Sequence, residues 1–221
     1  MKRKIITTAD GSKTIQIEEW NEQYHSIHGA VQEAYHVFIK NGLSLFQDRS
    51  LSILEIGFGT GLNALITLLE SEKQGLQVSY NGVEAYPVLP KELEQLGYSA
   101  ALEAKDFEQY FFKMHQTSWG KIHQITPGFS LTKQQLDFKE ISDVNNFDLI
   151  YFDAFGARVQ PELWTEEIFE IMYKALKKDG VLVTYSAKGS VRRAMQAVGF
   201  VVERLPGPPG KREMLRALKI S

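Results

Sequence analysis

Residues 51–63 restrict the fold more than any other stretch of the chain. Leu51-Ser52-Ile53-Leu54-Glu55-Ile56 is a short apolar run. Gly57-Phe58-Gly59-Thr60-Gly61 breaks it, and Leu62, Leu65, Ile66 and Leu69 follow at the i, i+3, i+4, i+7 spacing of a helix. A strand that turns through glycines straight into a helix is the opening unit of a parallel α/β sheet. Glycine lets such a turn bend sharply and approach a ligand closely, with the N–H groups of the helix start facing it.

The same alternation runs through the rest of the chain. Gln77 to Val83 reads as the next strand, closed by Glu84, and Pro87 to Leu96 as a helix. Phe107, Tyr110, Phe111 and Met114 give an amphipathic helix, and Phe129 to Phe138 alternates as a strand. Phe147 to Phe152 is a buried strand; a helix from Pro161 carries Trp164, Ile168, Met172 and Leu176 until Asp179-Gly180 ends it. Val181 to Tyr185, a helix over Ser190 to Val198, and strands Phe200 to Arg204 and Met214 to Ile220 complete the pattern. The last two strands are joined by a turn with no helix between them, so they must pair antiparallel. The expected fold class is therefore α/β: a Rossmann-like class I S-adenosylmethionine-dependent methyltransferase, with a mostly parallel sheet ending in an antiparallel hairpin. Ahead of it, Asp10-Gly11 predicts a type I′ hairpin between Lys4–Thr8 and Lys13–Ile17, and Gly29 to Lys40 a helix. Residues 1–50 thus form a hairpin-plus-helix appendage and 51–221 the methyltransferase domain, together one compact unit.

Composition narrows the setting. The chain has 221 residues, 43% of them hydrophobic, and no cysteine, which excludes disulfides, thiolate metal sites and a cysteine nucleophile. No apolar run approaches the ~20 residues of a membrane span, and Ile5–Thr8 behind Lys2-Arg3-Lys4 is too short for a signal-peptide core. A soluble cytoplasmic protein without a membrane partner is expected. The net charge of −2 argues against a general nucleic-acid binder, so any such contact would have to come from local patches: Lys2-Arg3-Lys4, Arg192-Arg193, or Lys211-Arg212 with Arg216 and Lys219.

The loop spacing is G-x-G-x-G. It is neither the G-x-G-x-x-G of a pyrophosphate cradle nor a P-loop. It suits a ligand without phosphates, such as S-adenosylmethionine, whose amino-acid end and sulfonium would pack on Glu55, Gly57, Phe58, Gly59, Thr60, Gly61 and Asn63. Glu84, at the end of the next strand, can accept bonds from both ribose hydroxyls of a nucleoside. A dehydrogenase remains the runner-up for that pairing. Asp153 ends the strand Ile150-Tyr151-Phe152 and would face the donated methyl. An ionised Asp can orient a free amine and stabilise the charge that grows on it, and the face of Phe155 adds cation–π attraction. This favours amine N-methylation; the chain shows no compact His/Asp grouping for a metal. A non-catalytic nucleoside-binding module stays open as a reading of another class.

Four blocks carry a resemblance: Glu55 to Asn63; Phe152-Asp153-Ala154-Phe155 with Pro161-Glu162-Leu163-Trp164; Thr184 to Gly189 with Val191-Arg192-Arg193; and Gly210-Lys211-Arg212-Glu213-Met214. In this order they resemble the methyltransferase domain of bacterial tRNA wobble-uridine modification enzymes of the MnmC/MnmD type. The resemblance covers most of residues 25–216. It implies methylation of 5-aminomethyl-(2-thio)uridine in the tRNA anticodon stem-loop to the 5-methylaminomethyl form, with Asp153-Ala154-Phe155 in the place of the Asp/Asn-Pro-Pro-Tyr/Phe motif of amino-methyltransferases. A small-molecule or protein amine is the alternative acceptor. The resemblance also implies cofactor or target-base contacts from Tyr24, Ser26 and Glu33, and tRNA contacts from Lys188, Arg192, Lys211 and Arg212. Relatives often carry Gly-Asp where this chain has Phe138-Lys139-Glu140, leaving Glu140 as the candidate adenine contact. Bifunctional relatives add a flavin-dependent oxidase domain. The chain ends at Ser221, so it is expected to lack that activity and to depend on another enzyme for the aminomethyluridine precursor.

Overall fold

The computed structural model describes residues 2–220, so Met1 and Ser221, at the outer ends of the two expected segments, lie outside it. Strands β1 (Arg3–Thr7) and β2 (Lys13–Ile17) pair antiparallel, and the two-residue β3 (Glu22–Gln23) joins β2. Their connection corrects the type I′ expectation. Thr7 pairs with Lys13, which leaves a five-residue loop in which Gly11 has positive φ and Asp10 does not; a type I′ turn needs both. The Asp10 carboxylate instead accepts bonds from Thr8 Oγ1 at 2.7 Å, Ser12 N at 3.1 Å and Gln32 N at 3.1 Å. It thereby fastens the loop to helix α1 (Ala30–Ala34), which continues as a π-helical turn over Tyr35–Lys40. The wider turn turns Val37, Phe38 and Ile39, three consecutive apolar residues, into the core.

The main sheet has eight strands in the order β10-β11-β9-β8-β4-β5-β7-β6. β4 (Ser50–Ile56), β5 (Gln77–Val83), β7 (Phe129–Gln134), β8 (Phe147–Phe152) and β9 (Leu176–Thr184) run parallel. β6 (Ile122–Thr126), β10 (Val201–Pro206) and β11 (Glu213–Leu218) supply the antiparallel pairings, β11 against both β9 and β10. The mostly parallel sheet with its terminal hairpin is as the sequence implies, while β6 is an addition. All six residues of β8 are buried, as expected for a strand covered on both faces.

One face is covered by α1 with its π-turn, α2 (Leu62–Lys73) and α5 (Glu108–Gln116). Ile15, Ala30, Ala34 and Phe38 share a single buried cluster with Leu65 and Tyr151 there. The other face is covered by α6 (Glu166–Ala175) and α7 (Gly189–Ala197) through Ile168, Phe169, Met172 and Met195. Two helices come out differently from the sequence expectation. Pro87 to Leu96 shrinks to α3 (Pro90–Leu93), followed by α4 (Tyr98–Ala101). The helix after Pro161 ends at Ala175, and Leu176 already starts β9. Asp179, at φ 62°, and Gly180 make an irregularity within β9 rather than a helix stop. Leu176 is buried in either setting, so its apolar periodicity could not tell them apart.

The connections leaving the C-terminal ends of β4, β5, β7 and β8 converge on one edge. The chain proceeds from β4 to β5 and β7, then returns to β8 on the other side of β4. Such a reversal opens a crevice outside the strand ends, where ligands bind in open α/β sheets. Residues 20–27 of the N-terminal segment form its far wall.

Candidate functional site

The crevice holds a cavity of about 340 Å³. Its floor is the glycine loop. Gly57 sits at φ 87°, and a Cβ there would lie 2.8 Å from the Asp153 carbonyl oxygen. Gly59 sits at φ 49°, where a Cβ would press to 3.1 Å on the Tyr24 ring. Both backbones therefore approach their neighbours as only glycine allows. The Glu84 carboxylate braces the loop: one oxygen accepts Gly59 N–H at 3.0 Å and the other Tyr86 N–H at 2.9 Å.

Below the floor lies a polar cluster. Asn63 Nδ2 donates to Glu55 Oε1 at 2.9 Å and to Asp153 Oδ2 at 2.8 Å. Tyr80 O–H donates to the other Glu55 oxygen at 2.8 Å. Glu55 is fully buried, and that burial, aided by the nearby Asp153, pushes its carboxyl well above the usual range. Asp153 belongs to the same cluster but reaches the cavity. Burial, then the Glu33 charge, raise it to about 7 against the opposing pull of Asn63 and Lys211.

The walls are aromatic. Phe155 meets Tyr24 edge-on at 4.9 Å and Trp20 at 5.6 Å, and its carbonyl accepts Trp164 Nε1–H at 2.8 Å. Tyr185 donates its O–H to the Ala154 carbonyl at 2.8 Å and carries Lys211 Nζ 3.9 Å above its ring. Lys211 also pairs with the buried Glu33 at 2.5 Å. Six acids line the cavity (Glu22, Glu33, Glu84, Asp137, Asp153, Glu162) against three bases (Arg3, Lys139, Lys211), a surface suited to a cationic ligand.

Of the residues singled out in the sequence, Gly57, Gly59, Glu84, Asp153, Phe155, Tyr24, Ser26, Glu33 and Lys211 line this cavity together. Glu55 and Asn63 lie behind the floor. Phe58 turns away from the cavity and packs on Gly82. Thr60 and Gly61 are buried, with the Thr60 hydroxyl bonded to His25 and Tyr98. Glu140 is exposed and accepts the Asp137 N–H at 2.9 Å. Lys188 and Arg212 are exposed and Arg192 half-buried on α7, all three outside the lining. The cavity also takes in His25, from the expected Tyr24-His25-Ser26 contact segment, and adds Trp20, Tyr86, Asp137 and Tyr185, which the sequence reading did not put among its binding residues. Asp137 had a signal: Asp137-x-x-Glu140 is a capping box, which ends β7 early and starts a turn at the sheet edge.

A family model described as S-adenosyl-L-methionine-dependent methyltransferase matches residues 102–220, more than half of the chain. The chain belongs to that family. The site fits the family's cofactor: a floor of side-chain-free backbone at Gly57 and Gly59, a strand-end carboxylate at Glu84 suited to a ribose, and an acid-rich lining suited to a sulfonium. Among curated proteins, the methyltransferase is 30% identical over 217 residues to the tRNA 5-methylaminomethyl-2-thiouridine biosynthesis bifunctional protein MnmC of Idiomarina loihiensis, covering 89% of this chain and 35% of that protein. The MnmC protein of Leptospira interrogans is 29% identical over 217 residues, with 90% of this chain and 32% of that one covered. The chain thus spans about a third of the length of these relatives. Among solved structures, MnmC2 from Aquifex aeolicus superimposes with a TM-score of 0.75 at 26% identity, covering all of this chain and 70% of the other. Spermidine synthase from Thermotoga maritima, at 17% identity and a TM-score of 0.61, shares the fold over 98% of this chain and 68% of its own. Among the described residues, no helix is long and apolar enough to cross a membrane, and no group of three or more His, Asp or Glu is placed to hold a metal ion.

Proposed function

We propose that this methyltransferase converts 5-aminomethyl-(2-thio)uridine at the wobble position of tRNA to its 5-methylaminomethyl form. The observation that carries the reading is Asp153, delivered by β8 to the cavity beside Phe155 and Tyr24 with its carboxyl raised to about 7. The likeness to MnmC proteins, whose names specify tRNA 5-methylaminomethyl-2-thiouridine biosynthesis, supplies the acceptor.

S-adenosylmethionine, when bound, supplies an electrophilic methyl group on a sulfonium. Glu84, Gly57 and Gly59 would hold it, with Asp137 and Phe138 at the nucleoside end. An amine acceptor arrives largely as an ammonium, which has no free lone pair. A carboxylate with a value near 7 is well matched to take that proton, pass it to water in the cavity and, ionised again, hold the amine by its remaining N–H bonds. As the new C–N bond forms, the donor's carbon–sulfur bond would break to leave a neutral thioether, and the positive charge would pass to the amine. Asp153 and the aromatic faces of Phe155 and Tyr24 stabilise that charge, the aromatic share on the order of 1–2 kcal/mol once water is excluded. Trp20 and Tyr24 line the cavity on its N-terminal side. The stem-loop would be held by shape and phosphates, with the target base extended into the cavity.

The test incubates the protein with labelled S-adenosylmethionine and tRNA lacking the terminal methyl, followed by nucleoside mass analysis. A gain of one methyl on 5-aminomethyl-2-thiouridine is expected. Label that appears only in protein or free amines would redirect the acceptor assignment.

A further inference from the structure

The chemistry above leaves His25, Lys211 and Glu33 without a role, although all three line the cavity. His25 Nε2 lies 2.8 Å from Thr60 Oγ1, and Tyr98 O–H donates to that same oxygen at 2.9 Å. The buried Thr60 hydroxyl has one proton of its own. With Tyr98 as donor to it, that proton points to His25 Nε2, which must then be the acceptor. The ring proton therefore sits on Nδ1. Among the described residues Nδ1 has no hydrogen-bond partner, and it is not among the buried unpaired polar atoms, so it is open to the cavity that His25 lines. Burial, with the nearby Lys211 charge, lowers the ring to about 4 and keeps it a neutral N–H donor.

Lys211 and Glu33 stand beside this donor as an ion pair. Glu33 also accepts Ser26 N–H at 3.2 Å, which fixes its carboxylate. A cation and an anion side by side, next to an N–H donor, mirror a group that carries a carboxylate and an ammonium on one carbon. Because His25 is anchored to Thr60, this arrangement lies against the glycine loop.

We propose that His25, Lys211 and Glu33 form the subsite for the amino-acid end of the methyl donor, and that they select against a donor lacking its carboxylate. His25 Nδ1–H and the Lys211 ammonium bind the carboxylate, and Glu33 receives the α-ammonium. The proposal rests on the family's cofactor and not on the identity of the acceptor amine.

Titration calorimetry with S-adenosylmethionine and with its decarboxylated analogue tests it. The wild-type protein is expected to bind the intact donor roughly 10- to 100-fold more tightly, the usual worth of hydrogen bonds to a charged group. His25→Gln can still reach Thr60 but has no counterpart of Nδ1. It should lose about tenfold for the intact donor and nothing for the analogue, and His25→Asn, whose amide nitrogen occupies the Nδ1 position, should recover part of the loss. Lys211→Met should narrow the same discrimination. Equal binding of the two donors by wild type, or equal weakening of both by His25→Gln, would overturn the assignment. Nitrogen-15 NMR of the wild-type ring gives a check without substitution: the proton belongs on Nδ1, and a proton on Nε2 would remove the donor. Loss of tRNA methylation with donor discrimination intact would refute only the acceptor assignment. Methylation with no discrimination would refute only the subsite.

Discussion

Asp153→Asn should make this protein more stable while stopping its chemistry, and the gain should depend on pH. An unfolded carboxyl titrates near 3.9, whereas burial and the Glu33 charge raise Asp153 to about 7 in the folded protein. Keeping a raised acid ionised costs about 1.4 kcal/mol per pH unit of displacement. The penalty is absent below the unfolded value and grows as pH rises. At pH 5 the folded carboxyl is still protonated and the penalty is about 1.5 kcal/mol; above pH 7 it levels off at about 4 kcal/mol. Asparagine has the same shape and no charge, and it can still accept the Asn63 N–H. Relative to wild type, the variant should gain about 2–3 kcal/mol between pH 5 and pH 8. Because Asp153 touches the cavity and its water, screening could halve that figure and leave the slope measurable. Urea unfolding of both proteins at pH 5, 6, 7 and 8, without cofactor, gives the difference directly. A stability difference that is flat with pH, or a variant less stable than wild type at pH 8, would refute the reasoning.

Three further outcomes are expected. With tRNA acceptor, kcat/KM should fall as pH drops through about 7, because the ionised Asp153 is lost; a flat profile down to pH 5.5 would count against its role. Glu84→Ala frees the Gly59 and Tyr86 N–H groups and removes the ribose acceptor, so calorimetry should show S-adenosylmethionine affinity reduced by about 100-fold or more. Gly57→Ala should cost more stability than Gly59→Ala, on the order of 2–3 kcal/mol against 1–2, in thermal unfolding. The first substitution meets a backbone carbonyl at φ 87°, the second only the edge of a tyrosine ring at φ 49°; a reversed order would contradict the packing described.

The sheet was legible wherever local chemistry and periodicity agreed. The glycine loop, the fully buried and mostly apolar β8 and the helix-free step between β10 and β11 each leave one solution. Glu55 and Asn63 were harder to place, because a motif marks a loop but not the side of it on which each side chain lies. Glu55 points toward Tyr80 in the core while its neighbour Gly57 lines the cavity. Strand β6 escaped notice because Ile122 is 76% exposed, so the edge strand lacks an apolar face to announce it. Asp137 was hidden by reading β7 four residues too long, and β9 was cut short by an Asp-Gly pair that makes an irregularity instead of a stop. A charge pattern records a patch without recording the direction it faces, so the sequence did not show that Lys188, Arg192 and Arg212, the expected tRNA contacts, lie outside the cavity lining.

The Glu33–Lys211 pair joins positions 178 residues apart in the chain. During synthesis the N-terminal wall emerges first but has nothing to close against until β8 delivers Asp153 and the turn before β11 delivers Lys211. The lining of the pocket is therefore incomplete until residue 211 has been made. A nascent or truncated chain that stops before residue 211 can hold most of the sheet and still lack the Lys211 side of the cavity.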